Sequence, residues 1–328
     1  MEGYLLCRPR GGLNDLLCQV ESCWQYAERF DRTLVVDTCR SRLNGSFSDF
    51  FEPQKTSDSV VFDLTGNVLE TLNRSTCFPP TVQGRLESYE SVFTGERNYV
   101  ESGSSDRLTF DFTKRLPQAV LVHEQCGGGT ASFQLLSRLK LSAELQSIAR
   151  TVLAGLDFEY VAVHVRNTNY KTEYQSLFRT IARRVSGKKL LVCSDDLDLI
   201  GYAKSYFTVS DVFSVSDLPQ YKELLLHGQS ALADKSQPRS MAIMSILDLL
   251  MLANANSLYY ANVKDGFPSG FSRLAAYLCD NKNVLGKLLG TPENFVAVSS
   301  SNGSRKISPP NAQFEKMLRW FNRKITNG

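Results

Sequence analysis

The sequence has few of the features that define metal sites, redox sites and membrane spans. It has only three histidines, and none of its eight cysteines forms a CxxC pair, so the spacing of a zinc site is absent. No glycine run has the GxGxxG spacing, which argues against an unrelated nucleotide-binding enzyme such as a dehydrogenase. The most apolar stretch, MAIMSILDLLMLANA, carries Asp248 and is shorter than the ~20 apolar residues that a bilayer span needs, so it predicts a buried helix.

The chain also lacks a strong net charge. Its 37 lysines and arginines nearly balance 34 acidic residues, for a net charge of +3, which is not the basic footprint of a nucleic-acid-binding protein. Arg8 and Arg10 interrupt the first apolar run, so no secretory signal is expected. The scattered cysteines indicate a reducing compartment, although an even number could pair in a secreted protein.

What the sequence does contain is an alternation of short apolar runs and amphipathic stretches. The 328 residues, 42% of them hydrophobic, are enough for about two domains. Continuous apolar runs such as YLLC and YVAVHV, separated by helical stretches, predict an α/β fold with parallel sheets in two Rossmann-like domains. We place the N-terminal domain at 1–150, the C-terminal domain at 151–300 and a tail with a terminal helix at 301–328. Residues 64–118 read as loops or an insertion.

The stretch YVAVHVRNTNYKTE ends a predicted strand in polar residues. Ligands of parallel α/β sheets bind beyond the carboxyl ends of the strands, where His164 and Arg166 stand. Arg166 can bridge two phosphate oxygens, and Glu173, nine positions after His164, can take a proton from an attacking hydroxyl. On its own, the stretch slightly favours a buried histidine and a surface ion pair.

A second strand, LLVCS, is followed by two aspartates. Asp195 and Asp196 should cap the next helix, or one of them could accept the two adjacent N–H groups of guanine. Asp196, Leu197 and Asp198 also match a short DxD metal pattern. That pattern is common by chance, so we predict no metal site.

Two glycine-containing turns lie between a strand and a helix. Gly11 and Gly12 precede Asn14, and the free amides of such a helix start could face a phosphate or a sugar hydroxyl; a tight turn with a cap is the alternative. The glycines at 127–129 could admit a substrate closely or simply be flexible.

A serine-rich turn, PSGFS, opens a late helix. Ser269, Gly270 and Ser272 leave small residues and free amides at the helix start, which suits a phosphate. A helix that begins after a proline and is capped by serine is the alternative.

The order of these motifs resembles that of the GDP-fucose-dependent fucosyltransferase superfamily, which includes the α1,6, nodulation-type, α1,2 and protein O-fucosyltransferases. VHVRNTNYKTE looks like its first motif, LLVCSDD like its second, and SILDLLMLANANSLYYANVKDGFPSGFSRLA like its third. The resemblance is good over 158–280 and thin over 1–150.

This resemblance implies a GT-B fold, in which two Rossmann-like domains face each other across a cleft. It also implies an inverting glycosyltransferase that moves fucose from GDP-fucose to a carbohydrate hydroxyl, without a cofactor or a divalent cation. The implied partners are a nucleotide sugar and a glycan acceptor, with no nucleic acid and no membrane span. The lack of a membrane anchor favours a bacterial cytoplasmic enzyme over a Golgi enzyme.

The resemblance also implies roles for individual residues. Arg166 would hold the donor β-phosphate, Asp195 or Asp196 would read guanine, and Glu173 would be the base. Gly11, Gly12 and Asn14 would position the acceptor or the donor. The implied donor-binding residues are His164, Arg166, Asp195, Asp196, Ser269, Gly270, Phe271 and Ser272.

The first motif departs from the family pattern at two positions. Asn167 stands where the family has a second arginine, and Asn169 stands where it has an aspartate. These changes leave open another GDP-linked sugar, another linkage, or a catalytically silent protein that binds a GDP-sugar or a glycan.

Overall fold

The computed structural model describes residues 3–43, 45–156, 158–168, 172–218, 238–263 and 268–290. The predicted terminal helix of the tail, Asn169 and most of the predicted loop at 216–238 lie outside the described residues. Two compact units are formed. The first comprises Met1–Asp157, Val215–Ala253 and Ser269–Val296, and the second comprises Phe158–Ser214, Asn254–Pro268 and Ala297–Gly328.

The first unit is built on a five-stranded parallel sheet with the order β4-β2-β1-β8-β5, and a short antiparallel pair β3-β9 and a hairpin β6-β7 accompany it. Its strands are β1 (Gly3–Cys7), β2 (Arg32–Val36), β3 (Phe51–Pro53), β4 (Val60–Val61), β5 (Cys77–Phe78), β6 (Ser91–Gly95), β7 (Asn98–Glu101), β8 (Val120–His123) and β9 (Leu139–Leu141). Its first helices are α1 (Leu13–Phe30), α2 (Gly66–Asn73), α3 (Ala131–Arg138) and α4 (Ala143–Ala154).

The second unit is built on a four-stranded parallel sheet with the order β12-β11-β10-β13. Its strands are β10 (Tyr160–Val165), β11 (Lys189–Ser194), β12 (Asp211–Phe213) and β13 (Ser257–Tyr260), and its helices are α5 (Tyr174–Val185) and α6 (Leu197–Tyr206). All six residues of β10 are buried, as expected of a central parallel strand. Phe178, Ile181 and Val185 of α5 are buried in the core of this unit, on one helical face. The α/β fold class with parallel sheets is therefore confirmed.

Three further helices lie later in the chain: α7 (Pro238–Asn254), α8 (Gly270–Asp280) and α9 (Lys282–Leu288). The first precedes β13 in the sequence, and the other two follow it. Almost all of α7, and the whole of α8 and α9, belong to the first unit. The physical reason is visible on α8, where the Tyr277 ring stacks on Phe133 of α3 with centroids 4.3 Å apart. The sequence analysis instead places all of 151–300 in one domain, and those domain limits stay a prediction.

Two local predictions differ from the structure. The sequence TASFQLLSRLKLSAELQSIARTVLAG predicts a largely helical stretch, but β9 interrupts it between α3 and α4. Leu139 and Leu141 are buried on one face of β9, while Lys140 on the other face forms an ion pair with Glu52 of β3. Residues 64–118 are not simply loops, because they contain α2, the sheet strand β5 and the β6-β7 hairpin.

No helix within the described ranges is long and apolar enough to cross a membrane. None of the eight cysteines, all of which lie in the described ranges, forms a disulfide; Cys39 is exposed, Cys126 is half-buried, and the others are buried.

Candidate functional site

The first candidate cluster lies at one edge of the second unit's sheet. β10 and β11 pair in parallel, with Val165 opposite Ser194, so the residues that follow both strands emerge at the same edge. Arg166 follows β10 and Asp195 follows β11, and the Arg166 Nε lies 3.9 Å from the Asp195 Oδ2. Both side chains are part-exposed. A part-exposed pair of this kind contributes little to stability.

The loop after Arg166 is tied to both aspartates. The Asn167 backbone N–H donates to the Asp195 Oδ1 at 2.7 Å, and the Thr168 hydroxyl donates to the Asp195 Oδ2 at 2.5 Å. The Asn167 side-chain amide donates to the Asp196 Oδ2 at 2.8 Å. In the sequence, Asn167 is notable only because it stands where the family has a second arginine. In the structure, its hydrogen bonds to the two aspartates join the first motif to the second.

Asp196 has a structural role that the sequence predicts. It is the N-cap of α6, and its Oδ1 accepts hydrogen bonds from the backbone N–H groups of Asp198 and Leu199. Asp198 lies in the first turn of α6. No group of three or more potential metal ligands is clustered among the described histidine, cysteine, aspartate and glutamate residues.

His164 is buried within the sheet. It is only 7% exposed and lies opposite Cys193 of β11 and Tyr260 of β13. Burial lowers the pKa of His164 to about 4; Asp195 opposes this shift and Arg166 adds to it. The imidazole is therefore neutral at pH 7 and adds no positive charge beside Arg166.

Glu173 stands at the start of α5. It is the residue before the first helical turn, and its side chain makes no capping hydrogen bond. The residue is exposed, and Thr172 beside it forms an isolated antiparallel bridge with Val263. The structure thus places the Glu173 carboxylate in solvent, at the end of the same loop that begins with Arg166.

The serine turn belongs to the first unit, where it begins α8. Ser269 is the N-cap, and its Oγ accepts from the Ser272 backbone N–H at 3.1 Å and lies 2.9 Å from the Ser272 Oγ. Both serines are buried, and Phe271 is half-buried. The capped-helix alternative thus describes what these hydroxyls do in the structure.

Asn14 lies in the first turn of α1 and faces the start of α8. It is only 3% exposed, and its Oδ1 accepts from the Ser132 hydroxyl at 2.8 Å. Its Nδ2 is buried without a hydrogen-bond partner among the described residues. A Cβ at Gly270 would lie 2.9 Å from this Nδ2, and one at Gly128 would lie 3.4 Å from it. The glycine run after β8, the Asn14 amide and the serine turn therefore meet at one place in the first unit.

The glycine turn before α1 has its own geometric requirement. Gly11 has φ +93°, a left-handed conformation that favours glycine, and a Cβ there would approach Asp15 to 2.7 Å. Gly12 is the N-cap of α1 and has no side chain to satisfy the first amides. Both features bring bare backbone to the helix start beside Asn14.

Gly270→Ala should lower the free energy of unfolding by about 1–2 kcal/mol, because the added methyl group crowds Asn14. The measurement is urea unfolding. Gly201→Ala is the matched control: no atom lies within 4 Å of a Cβ there, and its place inside α6 should raise stability by about 0.5–1 kcal/mol. Equal stabilisation by both changes would contradict the close approach of α1 and α8.

The sequence analysis did not find a polar network beside the first unit's sheet. Glu124, wholly buried after β8, accepts from the Tyr89 hydroxyl at 2.7 Å, the Ser91 hydroxyl at 2.6 Å and the Arg10 Nε at 2.7 Å. Arg40 adds an ion pair at 3.6 Å. The sequence does carry one signal for this network. Its charged residues, Arg10, Arg40 and Glu124, come just after apolar strands, which is where parallel sheets place ligand contacts.

Two more buried polar groups stand near this network. Arg8 and Asp37, which follow β1 and β2, form a buried ion pair at 2.7 Å. His123 at the end of β8 lies between Gln19 at 2.6 Å and Thr109 at 2.8 Å, and burial lowers its pKa to about 3. Both histidine rings described so far are neutral at pH 7.

Comparison with solved structures identifies similar folds. A structure of the fucosyltransferase NodZ from Bradyrhizobium has a TM-score of 0.55 and 18% identity, covering 84% of this chain and 93% of that chain. A structure of NodZ α-1,6-fucosyltransferase soaked with GDP-fucose has a TM-score of 0.53 and 20% identity, covering 85% and 93%. A structure of POFUT1 in complex with GDP has a TM-score of 0.52 and 14% identity, covering 85% and 95%.

This chain has a fucosyltransferase fold. The similarity extends over most of this chain and over nearly the whole of the solved chains, so it is not limited to one shared sheet. No protein-family model and no curated protein sequence matches the chain.

Proposed function

We propose that this protein is a glycosyltransferase that moves fucose from GDP-fucose to a carbohydrate hydroxyl. The observation that carries the proposal is the cluster at the carboxyl ends of β10 and β11, where Arg166 lies beside Asp195. Solved proteins of the same fold have been captured with GDP and with GDP-fucose, which supports a GDP-sugar donor.

Arg166 is proposed to carry the charge that develops on the leaving group. The acceptor oxygen bonds to the anomeric carbon, the bond from that carbon to the β-phosphate oxygen breaks, and GDP leaves. A guanidinium can bind two phosphate oxygens at once and remains charged at any physiological pH. We therefore propose that the reaction proceeds without a divalent cation and with one displacement, which inverts the anomeric centre.

Glu173 is proposed as the base that takes the proton of the acceptor hydroxyl. Its carboxylate is exposed and is not used to cap α5, so an acceptor can reach it. It follows Arg166 by seven positions in the sequence.

Guanine recognition is proposed for Asp195, with Asp196 held as the cap of α6. Both Asp195 oxygens accept hydrogen bonds from the loop after Arg166, but a carboxylate offers about four acceptor positions, so guanine donors can still bind. In the first unit, Gly11, Gly12 and Asn14 are proposed to position the acceptor or the donor. The turn Ser269–Ser272, with Phe271, is proposed as a further diphosphate contact through its backbone amides, because its hydroxyls cap α8.

A comparison of nucleotides tests the guanine assignment. GDP should bind at least about tenfold more tightly than UDP, because uracil lacks the two adjacent donors that a carboxylate can accept. Calorimetry on wild type and on Asp195→Ala gives the two dissociation constants. The variant should bring the two nucleotides to equal affinity. If Asp195 only holds the loop in shape, Asp195→Ala should weaken the binding of GDP and of UDP by the same factor. The ratio of the two dissociation constants would then be unchanged.

Thr168→Val is the matched control for Asp195→Ala. It removes one hydrogen bond to the Asp195 carboxylate and keeps the carboxylate itself, so the preference for GDP should remain. Indistinguishable binding of GDP and UDP to wild type contradicts the guanine assignment. Binding of GDP without hydrolysis of GDP-fucose or GDP-mannose would instead identify the catalytically silent sugar-nucleotide-binding protein.

A further inference from the structure

The β6-β7 hairpin of the first unit exposes an aromatic ring. Phe93 lies opposite Tyr99 across the hairpin, their ring centroids are 5.3 Å apart, and Phe93 is 55% exposed. Val92, its neighbour on β6, is 50% exposed but points to the opposite face of the hairpin, since side chains alternate along a strand. One face therefore presents a single aromatic surface and not a broad apolar patch.

A fixed arginine extends this surface towards the sheet. The Arg10 guanidinium lies over the Tyr99 ring, 5.1 Å from its centroid. Its Nη2 donates to Ser91 at 2.9 Å and its Nε donates to Glu124 at 2.7 Å, while about a fifth of its side chain stays exposed. Phe93, Tyr99 and Arg10 form what we call the hairpin platform. It combines apolar ring faces with the hydrogen-bond donors of Arg10, whose position is fixed by Ser91 and Glu124.

The tip of the hairpin is held in an unfavourable conformation. Glu96 and Arg97 connect β6 to β7 with φ values of 46° and 72°, in a turn position that usually needs glycine or asparagine. The contacts of Arg97 explain how the conformation persists, because its backbone C=O accepts from Cys126 at 3.1 Å and its Nη1 donates to the Gly128 C=O at 3.2 Å. The hairpin is thereby fastened to the glycine run that follows β8.

The Arg97 contact fastens the hairpin to a glycine that lies beside the start of α1. Gly128 lies against both Asn14 and Asp15, since a Cβ there would be 3.4 Å from the Asn14 Nδ2 and 2.9 Å from the Asp15 Oδ1. Arg97 and Gly128 thus connect the tip of the hairpin to the residues that the proposed function assigns to positioning of the acceptor or donor.

We propose that the hairpin platform binds a sugar ring of the carbohydrate acceptor, remote from the hydroxyl that reacts. A pyranose has an apolar face of C–H groups that can lie on Phe93, and rim hydroxyls that Arg10 and Arg97 can bind. A second protein chain is a poorer occupant, because one ring flanked by charged side chains is far smaller than a stable protein interface. This inference rests on the proposed function, to which it adds a site on the acceptor side.

The test compares Phe93→Ala with Val92→Ala, which removes a similarly exposed side chain from the other face of the same strand. Binding of β-1,4-linked tetrasaccharides of N-acetylglucosamine and glucose, and of an α-1,6-linked mannose tetrasaccharide, is measured by saturation-transfer NMR titration on the full chain. Wild type should bind at least one of them. Phe93→Ala should weaken that binding about tenfold, as expected for loss of a central aromatic contact, and Val92→Ala should leave it unchanged.

GDP binding by the same three proteins separates this inference from the proposed function. The dissociation constant for GDP should be equal in all three, which also shows that the variants are folded. The platform is refuted if wild type binds none of the three tetrasaccharides, or if both variants bind them as wild type does, whatever the result with GDP. Failure of wild type to bind GDP refutes the proposed function and leaves the tetrasaccharide comparison to decide the platform.

Discussion

Arg166→Ala should lower the turnover of GDP-fucose by about 100- to 1,000-fold, the usual cost of removing one group that stabilises developing negative charge. The reason is that Arg166 is the cation proposed to contact the leaving diphosphate, while the neighbouring His164 ring is neutral at pH 7. Hydrolysis of GDP-fucose, followed as release of GDP, measures this loss without knowledge of the acceptor.

Two variants serve as controls for Arg166→Ala. Arg166→Lys keeps the charge but loses the two-pronged donor geometry, so it should recover only part of the activity. Arg184→Ala removes an exposed arginine from the last turn of α5 in the same unit and should have no effect. Near-normal hydrolysis by Arg166→Ala would remove Arg166 from the proposed mechanism.

Asp37→Ala should lower the free energy of unfolding by about 3–5 kcal/mol, because it leaves the buried Arg8 charge without its carboxylate. Arg8 and Asp37 are 2% and 5% exposed, and the Arg8 Nε donates to the Asp37 Oδ2 at 2.7 Å. Burial lowers the pKa of Arg8, but Tyr89 and Asp37 reverse that shift and raise it. Because a guanidinium is not deprotonated in proteins, the Arg8 charge remains when Asp37 is removed. Urea unfolding followed by circular dichroism measures the change.

The double variant Arg8→Met, Asp37→Leu is the control for this buried pair. Replacing both charges with apolar side chains of similar volume removes the uncompensated charge, so the double variant should be clearly more stable than Asp37→Ala. A loss below about 1 kcal/mol in Asp37→Ala would mean that water or another group already compensates Arg8.

The parallel sheets were predictable because their signal is local. YVAVHV and KLLVCS became β10 and β11, since strands buried on both faces are apolar throughout and do not alternate. β9 was missed because three residues, LKL, have no local signal apart from the helical residues on either side. Its existence depends on β3, about 90 residues earlier in the chain.

The candidate site shows the same division between local and distant information. Strand-end positions led to Arg166 and Asp195, and the parallel pairing of β10 and β11 places them side by side. The role of Asn167 could not be read from the sequence, because the hydrogen bond from its side-chain amide to Asp196 depends on where two loops meet. For the Glu124 network, the sequence shows charges just after apolar strands but not which of them meet, since Arg10 lies 114 positions from Glu124.

The buried Glu124 carboxylate has a consequence for the order of folding. Its partners come from the loop after β1, from Tyr89 and from β6, so several distant segments must close around one charge. Desolvation of this carboxylate before those partners arrive would be very unfavourable. We therefore expect the parallel sheet to assemble while Glu124 is still hydrated, and the β6-β7 hairpin to dock in the last stage, when water leaves the carboxylate.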